Sequence, residues 1–284
     1  MDYKSFCFCT LATGLEYRMA AWLLSKDIEM IIPDTRLLVL TDDTLFFNDC
    51  QNVIAVYFVS DSPFGCYHDK RFAISQSLLR FDYTCYIDSD CRLISHPNFD
   101  LQTFDLGIYA WNVMQMIPRF EMEQKGEKYK SKRGLNSCAR RLSLIKTVAA
   151  DLNVDINSTF FLSEVCMTFS KNSPNIELFL RTWDRYARKL QARGYGWGEG
   201  ETIGVVAKYC NWQIHNIEPS LWLFKDVLTK DMSNENIKKF RFDRVMLNKL
   251  ANKHSNKIST ILKLAKTYPA IFLKRNIELL DNIR

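Results

Sequence analysis

Along the first ninety residues, short apolar runs alternate with stretches whose apolar positions recur three and four apart. Residues 4–10, 36–40, 53–59 and 83–87 are runs of Phe, Cys, Leu, Val, Ile and Tyr with little polar alternation. Runs of that length and composition predict strands buried on both faces. Residues 16–26 instead place Met19, Ala20, Leu23 and Leu24 on one helical face, and residues 68–80 do the same with Phe72, Ile74, Leu78 and Leu79. Pro33 breaks the chain ahead of the second strand. The order strand–helix–strand–strand–helix–strand predicts an α/β fold, a mainly parallel sheet with helices on both faces.

Beyond residue 100 the pattern loosens. Residues 105–111 and 160–170 read as strands, and 175–193 as an amphipathic helix carrying Leu178, Phe179, Trp183, Tyr186 and Leu190. Residues 194–200 form a Gly-rich break before a helix at 202–209. From Arg119 to Arg141 there are eight Lys and Arg against three Glu, without a clear period. This predicts a mobile basic connecting segment or lid. Residues 237–283 read as two or three short basic helices. The expected organisation is an α/β domain over 1–230 and a basic helical extension over 231–284.

Composition narrows the class. The chain has 284 residues, 47% of them hydrophobic, with only 10 Gly and 7 Pro, which excludes disordered and fibrous chains. No apolar run approaches the roughly 18 residues that span a bilayer, and the acidic start Met1-Asp2 meets no signal-peptide core. A soluble, cytoplasmic protein is expected. The nine cysteines include no C-x-x-C, and the four histidines are scattered, so buried reduced thiols are expected rather than zinc. The net charge of +6 is uneven. From Glu235 onward there are 12 Lys and Arg against 4 Asp and Glu, whereas the preceding residues carry 26 against 28. An anionic partner is therefore expected for the tail alone.

The strongest chemical signal is Tyr86-Ile87-Asp88-Ser89-Asp90. In α/β sheets, ligands bind beyond the carboxyl ends of the strands. Two carboxylates one residue apart at such an end can hold one hard divalent cation, which bridges to a diphosphate. The competing reading is a pair of solvated turn aspartates.

The stretch from Arg80 to Asp90 resembles the helix-end, strand and D-x-D signature of nucleotide-sugar-dependent glycosyltransferases with the GT-A fold. It is most similar to retaining families, those of glycogenin, the lipopolysaccharide galactosyltransferases and the blood-group transferases. Other features fall in the family's order over roughly residues 4–225: the turn Thr10–Thr13, Thr41-Asp42 after the second strand, Lys70-Arg71, the strand at 160–169, and Gly198-Glu199-Gly200-Glu201. The resemblance implies a hexosyltransferase using a UDP-sugar with Mn²⁺ or Mg²⁺. Asp88 and Ser89 would lie at the donor, and Asp88 and Asp90 on the metal. Thr10, Ala12, Thr13 and Asp42 would line the base and ribose pocket, and Lys70 or Arg71 would reach the base or a phosphate. Glu199 and Glu201 become candidates for the acid facing the anomeric carbon, with Trp197 beside them available to stack on a sugar. Two departures stand out. Glu164 occupies a position where the family has a small residue, which makes it a third catalytic candidate. The family's His–Gly–Lys–Pro pattern is absent, and His215 is the candidate substitute ligand.

The acceptor implied is a glycan or a lipid-linked sugar. In the tail, Lys238, Lys239, Arg241, Arg244, Lys249, Lys253 and Lys257 interleave with Phe240, Phe242, Leu247, Leu250 and Ile258, a pattern suited to an anionic membrane surface. Packing on the catalytic domain is the alternative, and no base-reading motif favours nucleic acid. Two rival readings of the whole chain are a haloacid-dehalogenase-type phosphatase using Asp88 and Asp90, and a non-catalytic basic-tailed interaction module.

Overall fold

In the computed structural model, seven strands form one sheet in the order β3 (Val53–Tyr57), β2 (Arg36–Thr41), β1 (Phe6–Ala12), β4 (Tyr83–Ile87), β7 (Phe160–Ser170), β6 (Gly107–Gln115), β8 (Gln213–Ile217). Residues 5–60, 67–126, 132–195 and 198–224 are described, all within the unit Met1–Asp231. The basic extension expected over 231–284, and Trp197, lie outside the described residues.

The strands β1 (Phe6–Ala12), β2 (Arg36–Thr41), β3 (Val53–Tyr57) and β4 (Tyr83–Ile87) are mutually parallel. Helix α1 (Leu15–Ile31) connects β1 to β2, and α2 (Lys70–Leu78) connects β3 to β4. Side chains alternate across the sheet. Phe6, Phe8, Leu37, Val39, Cys85 and Ile87 pack on the α1 side, while Cys9, Leu38, Leu40 and Tyr86 pack on the α2 side. Both faces are covered, which is why these strands carry no polar alternation.

The second half adds β6 (Gly107–Gln115), β7 (Phe160–Ser170) and β8 (Gln213–Ile217). Strand β7 runs antiparallel to both β4 and β6, so the sheet is mixed, though mostly parallel. Helices α5 (Ile176–Ala192) and α6 (Glu199–Tyr209) cover the α2 face. A two-stranded sheet pairs β5 (Arg92–Leu93) with β9 (Leu223–Phe224), just after the D-x-D stretch.

Two expectations need correction. The segment read as a mobile lid is largely helical: α3 (Met116–Lys125) and α4 (Lys132–Asp151). Their apolar positions Met116 and Phe120, and Cys138, Ile145, Val148 and Ala149, enter the core. Two of the arginines that hid this period are paired across helices, Arg141 to Glu123 and both Arg119 and Arg141 to Glu201. The Gly-rich break also ends earlier than expected, because α6 begins at Glu199. Gly200 and Gly204 lie one helical turn apart and face β7. A Cβ on Gly200 would sit 2.1 Å from the Leu162 carbonyl oxygen, and one on Gly204 would sit 1.6 Å from that of Phe160. These glycines let a helix lie directly on a strand; they do not break it.

All eight described cysteines are buried free thiols. Burial is the main reason that Cys9 is pushed up to about 11. None of the described helices is long and apolar enough to cross a membrane.

Candidate active site

Three elements converge at the carboxyl end of β4. The crossover geometry brings the start of α2 there, since the chain leaves β3 at this edge and descends to begin β4. Strand β7 runs the other way, pairing Cys166 with Ile87, so its earlier residues extend past the end of β4. The Asp88 amide donates to the Val165 carbonyl at 2.9 Å and carries the ladder one step into the D-x-D stretch. The first turn of α6 closes the third side.

Lys70 joins these elements. It is 5% exposed, and its Nζ lies 3.0 Å from Asp88 Oδ1 and 3.5 Å from Glu199 Oε1. The ammonium also donates to the Glu164 carbonyl at 3.3 Å and sits 5.4 Å from the centre of the Tyr86 ring. Burial alone would lower the Lys70 pKa; the charges of Asp88, Glu199 and Glu164 overcome it and hold the pKa above its ordinary value. The Tyr86 hydroxyl donates to the same Asp88 oxygen at 3.2 Å. Burial, then the Asp88 charge, push Tyr86 upward, so the phenol keeps its proton.

Neighbouring positions on α2 separate completely. Arg71 donates from Nε to Asp184 at 2.9 Å and from Nη1 to the His68 carbonyl at 2.8 Å. It binds α2 to α5 and does not reach the D-x-D stretch through these contacts. Neither residue is a solvated helix charge.

A cavity of about 260 Å³ opens beside this cluster, lined by Tyr67, Arg119, Arg141, Phe161, Glu164, Gly198, Glu199 and Glu201. Both α6 glutamates are 3% exposed, at the helix start where carboxylates are favoured. Glu201 takes an ion pair from Arg119 at 3.0 Å and one from Arg141 at 3.2 Å. The Arg119 guanidinium also lies 3.4 Å over the Phe161 ring. Glu199 is different: burial first, then the charge of Glu164 and a hydrogen bond with it, raise its pKa well above the carboxylate range, and Lys70 offsets only part of this. Glu164 is half-buried and lines the cavity.

At the ends of β1 and β2, Asp42 accepts two bonds from the Gly14 amide, at 3.0 and 3.1 Å, and one from Arg18 at 3.4 Å. Thr10 and Ala12 are buried and Thr13 is half-buried. The Thr10 hydroxyl has no hydrogen-bond partner among the described residues.

His215 stands apart. It lies on β8, opposite Tyr109 of β6, and stacks on that ring at 4.5 Å. Strands β7 and β6 separate it from β4, which is about 14 Å at three strand spacings. Its lining neighbours, Trp212 and Lys208 among them, belong to a second cavity of about 380 Å³. The expected third ligand is therefore not beside the aspartates, because β8 adds to the far edge of the sheet. Among the described residues no three His, Cys, Asp or Glu side chains form a metal-sized cluster. Asp88 and Asp90 do fit a cation that completes its shell with phosphate oxygens, since Mg²⁺ is commonly held by one or two carboxylates plus substrate phosphates. Both are half-buried, and the Lys70 and Tyr86 contacts fall on one Asp88 oxygen, Oδ1.

Solved structures of glycosyltransferases are among those to which the chain is similar. The bifunctional glycosyltransferase WbbM is 13% identical with a TM-score of 0.47 over 77% of this chain, which spans only 39% of WbbM. An active-site mutant of LgtC is 11% identical with a TM-score of 0.44, covering 75% of this chain and 72% of that one. The galactosyltransferase LgtC with donor and acceptor sugar analogues gives 12%, 0.43, 75% and 73%. The chemistry of the site is argued from the side chains of this chain. No family model and no curated protein matches the chain.

Sequence reasoning could not anticipate the pairing of Glu199 with Glu164, or the arginine pair on Glu201. The one signal in the sequence was the spacing of Gly200 and Gly204, which marks a helix lying close on a strand.

Proposed function

We propose that this chain is a hexosyltransferase that moves a hexose from a UDP-sugar to a hydroxyl of a glycan or lipid-linked acceptor, with retention at the anomeric carbon. The observation that carries the reading is the link made by Lys70. One buried ammonium joins the first D-x-D carboxylate, Asp88, to Glu199 of an adjoining cleft, so diphosphate-binding and sugar-binding chemistry meet at one strand end.

In this reading Thr10, Ala12, Thr13 and Asp42 line the base and ribose, and Asp88, Ser89 and Asp90 lie at the diphosphate. Bound by Asp88 and Asp90, Mn²⁺ or Mg²⁺ would neutralise the diphosphate and make it a better leaving group. Lys70 fixes the orientation of Asp88. A carboxylate of the cleft faces the transferring sugar, where positive charge develops as its bond to the diphosphate breaks. Arg119 and Arg141 hold Glu201 and with it the start of α6. The basic tail would give peripheral contact with an anionic inner-membrane surface.

The test is a thermal-shift panel of UDP, UDP-glucose and UDP-galactose with and without Mn²⁺. A ligand bound only to the folded state raises its midpoint. A metal-dependent rise supports the reading; turnover of p-nitrophenyl phosphate without such a rise would replace it with a phosphatase.

A further inference from the structure

Three carboxylates line the cleft, and their surroundings differ. Glu201 is matched by Arg119 and Arg141. Glu199 is buried, and its cationic neighbour Lys70 lies closer to Asp88 than to it, 3.0 Å against 3.5 Å. Glu164 comes from a different element, β7, and is the only one of the three that is not buried. It leans on the first turn of α6: a Cβ on Gly200 would lie 2.9 Å from Glu164 Oε2. The Glu164 and Glu199 carboxyl groups are hydrogen-bonded to each other. Two carboxyl groups can bond directly only when one of them carries a proton. Burial and the Glu164 charge assign that proton to Glu199.

We infer that Glu164, the half-buried carboxylate of the cleft, is the catalytic carboxylate facing the anomeric carbon, and that Glu199, buried beside it in the first turn of α6, is its positioning residue. Glu201 has no part in the chemistry. This rests on the reading that the cleft receives the donor sugar. In the step served, the bond between the anomeric carbon and the diphosphate oxygen breaks, and its electron pair leaves with the nucleoside diphosphate. The acceptor hydroxyl oxygen forms the new bond, and its proton passes to the departing diphosphate. The Glu164 carboxylate stabilises the positive charge on the sugar between these events and forms no bond itself. A neutral Glu199 serves this purpose, because a second negative charge beside Glu164 would repel it and disturb its aim.

Three variants separate the roles, assayed by UDP-hexose turnover with Mn²⁺. Glu164→Gln should lower kcat about 100-fold or more, with the UDP-hexose thermal shift and KM retained. Glu199→Gln should keep kcat within a few-fold of wild type, since the amide N–H replaces the carboxyl O–H as donor. Glu201→Gln should lower the melting midpoint without separating kcat from KM. A Glu164→Gln variant of near-normal kcat, or a Glu199→Gln variant as impaired as Glu164→Gln, overturns the assignment.

Failure of the donor reading looks different: no UDP-hexose then shifts the wild-type midpoint. The pairing itself is still measurable without substrate. The charged groups acting on Glu199 are Glu164 from β7 and Lys70 from α2, and Arg119 from α3, Arg141 from α4 and Glu201 on its own helix line the same cavity. With the Glu199 pKa raised, the stability it contributes is complete below the ordinary 4.5 and is lost as pH rises through the raised value. Glu199→Gln should therefore gain midpoint relative to wild type at pH 8 compared with pH 5. An unchanged difference at the two pH values would overturn the pairing.

Discussion

Replacing Lys70 with Met tests the centre of the site most directly. Met fills nearly the same volume and can still lie against the Tyr86 ring, so the perturbation removes the charge and leaves the packing. Asp88 and Glu199 then lose the buried ammonium now 3.0 and 3.5 Å from them. The Lys70 side chain is 6% exposed, so little water is available to take its place. Removing one partner of a buried pair costs about 3–5 kcal/mol, because it leaves the other charge uncompensated. For a domain of this size each kcal/mol moves the midpoint by about 2–4 °C, so a fall of roughly 6–20 °C is expected at pH 7.5. Differential scanning fluorimetry would measure it, with the exposed Lys26–Glu29 pair as control. Lys26→Met should change the midpoint by no more than about 4 °C, given that exposed pairs contribute up to about 1 kcal/mol. The alkaline limb gives a second check. Because the Lys70 pKa is raised, its contribution is complete below 10.5 and is lost as pH rises through the higher folded value. Wild type should therefore lose midpoint in strong alkali more steeply than Lys70→Met. A fall of less than about 2 °C at pH 7.5 would refute the view that Lys70 is the compensating charge.

Single contacts set the remaining outcomes. Asp90→Asn should retain the wild-type midpoint but lose the Mn²⁺-dependent shift with UDP-hexose, since an amide does not replace an anionic oxygen on a hard cation. Gly204→Ala should be strongly destabilising in urea unfolding, beyond the usual 1–3 kcal/mol of an overpacked core, because the clashing atom is a strand carbonyl. Native protein should resist alkylation by iodoacetamide at the eight described cysteines until denaturant is added, because burial puts the thiols out of reach. Truncation before Glu235 should reduce co-sedimentation with phosphatidylglycerol vesicles at low salt while leaving donor hydrolysis intact; equal sedimentation of both forms would remove the membrane proposal.

The features legible in the sequence were local and periodic. The apolar runs at β1, β2 and β4 have no polar face, and a strand with none must be covered on both sides, so this part of the sheet and its helical layers could be read directly. The aspartates directly after β4 were legible for the same reason, since a strand end is marked by where its apolar run stops. The pairing of charges was decided by the tertiary structure. Lys70 and Arg71 are adjacent in sequence, yet one meets Asp88 and the other Asp184, because successive residues of a helix point about 100° apart toward different neighbours. Helices α3 and α4 looked like a polar lid because the pairs that Arg119 and Arg141 make with Glu201, and Arg141 with Glu123, form only across the fold. His215 matched a ligand by its order in the chain, and strand order carried it to the far edge of the sheet. Glu164 stands 35 residues before Glu199, and only the antiparallel run of β7 beneath α6 makes their two carboxyl groups neighbours. Burial is written in the periodicity of a chain; the partner of a buried charge is set by long-range contacts that periodicity does not encode.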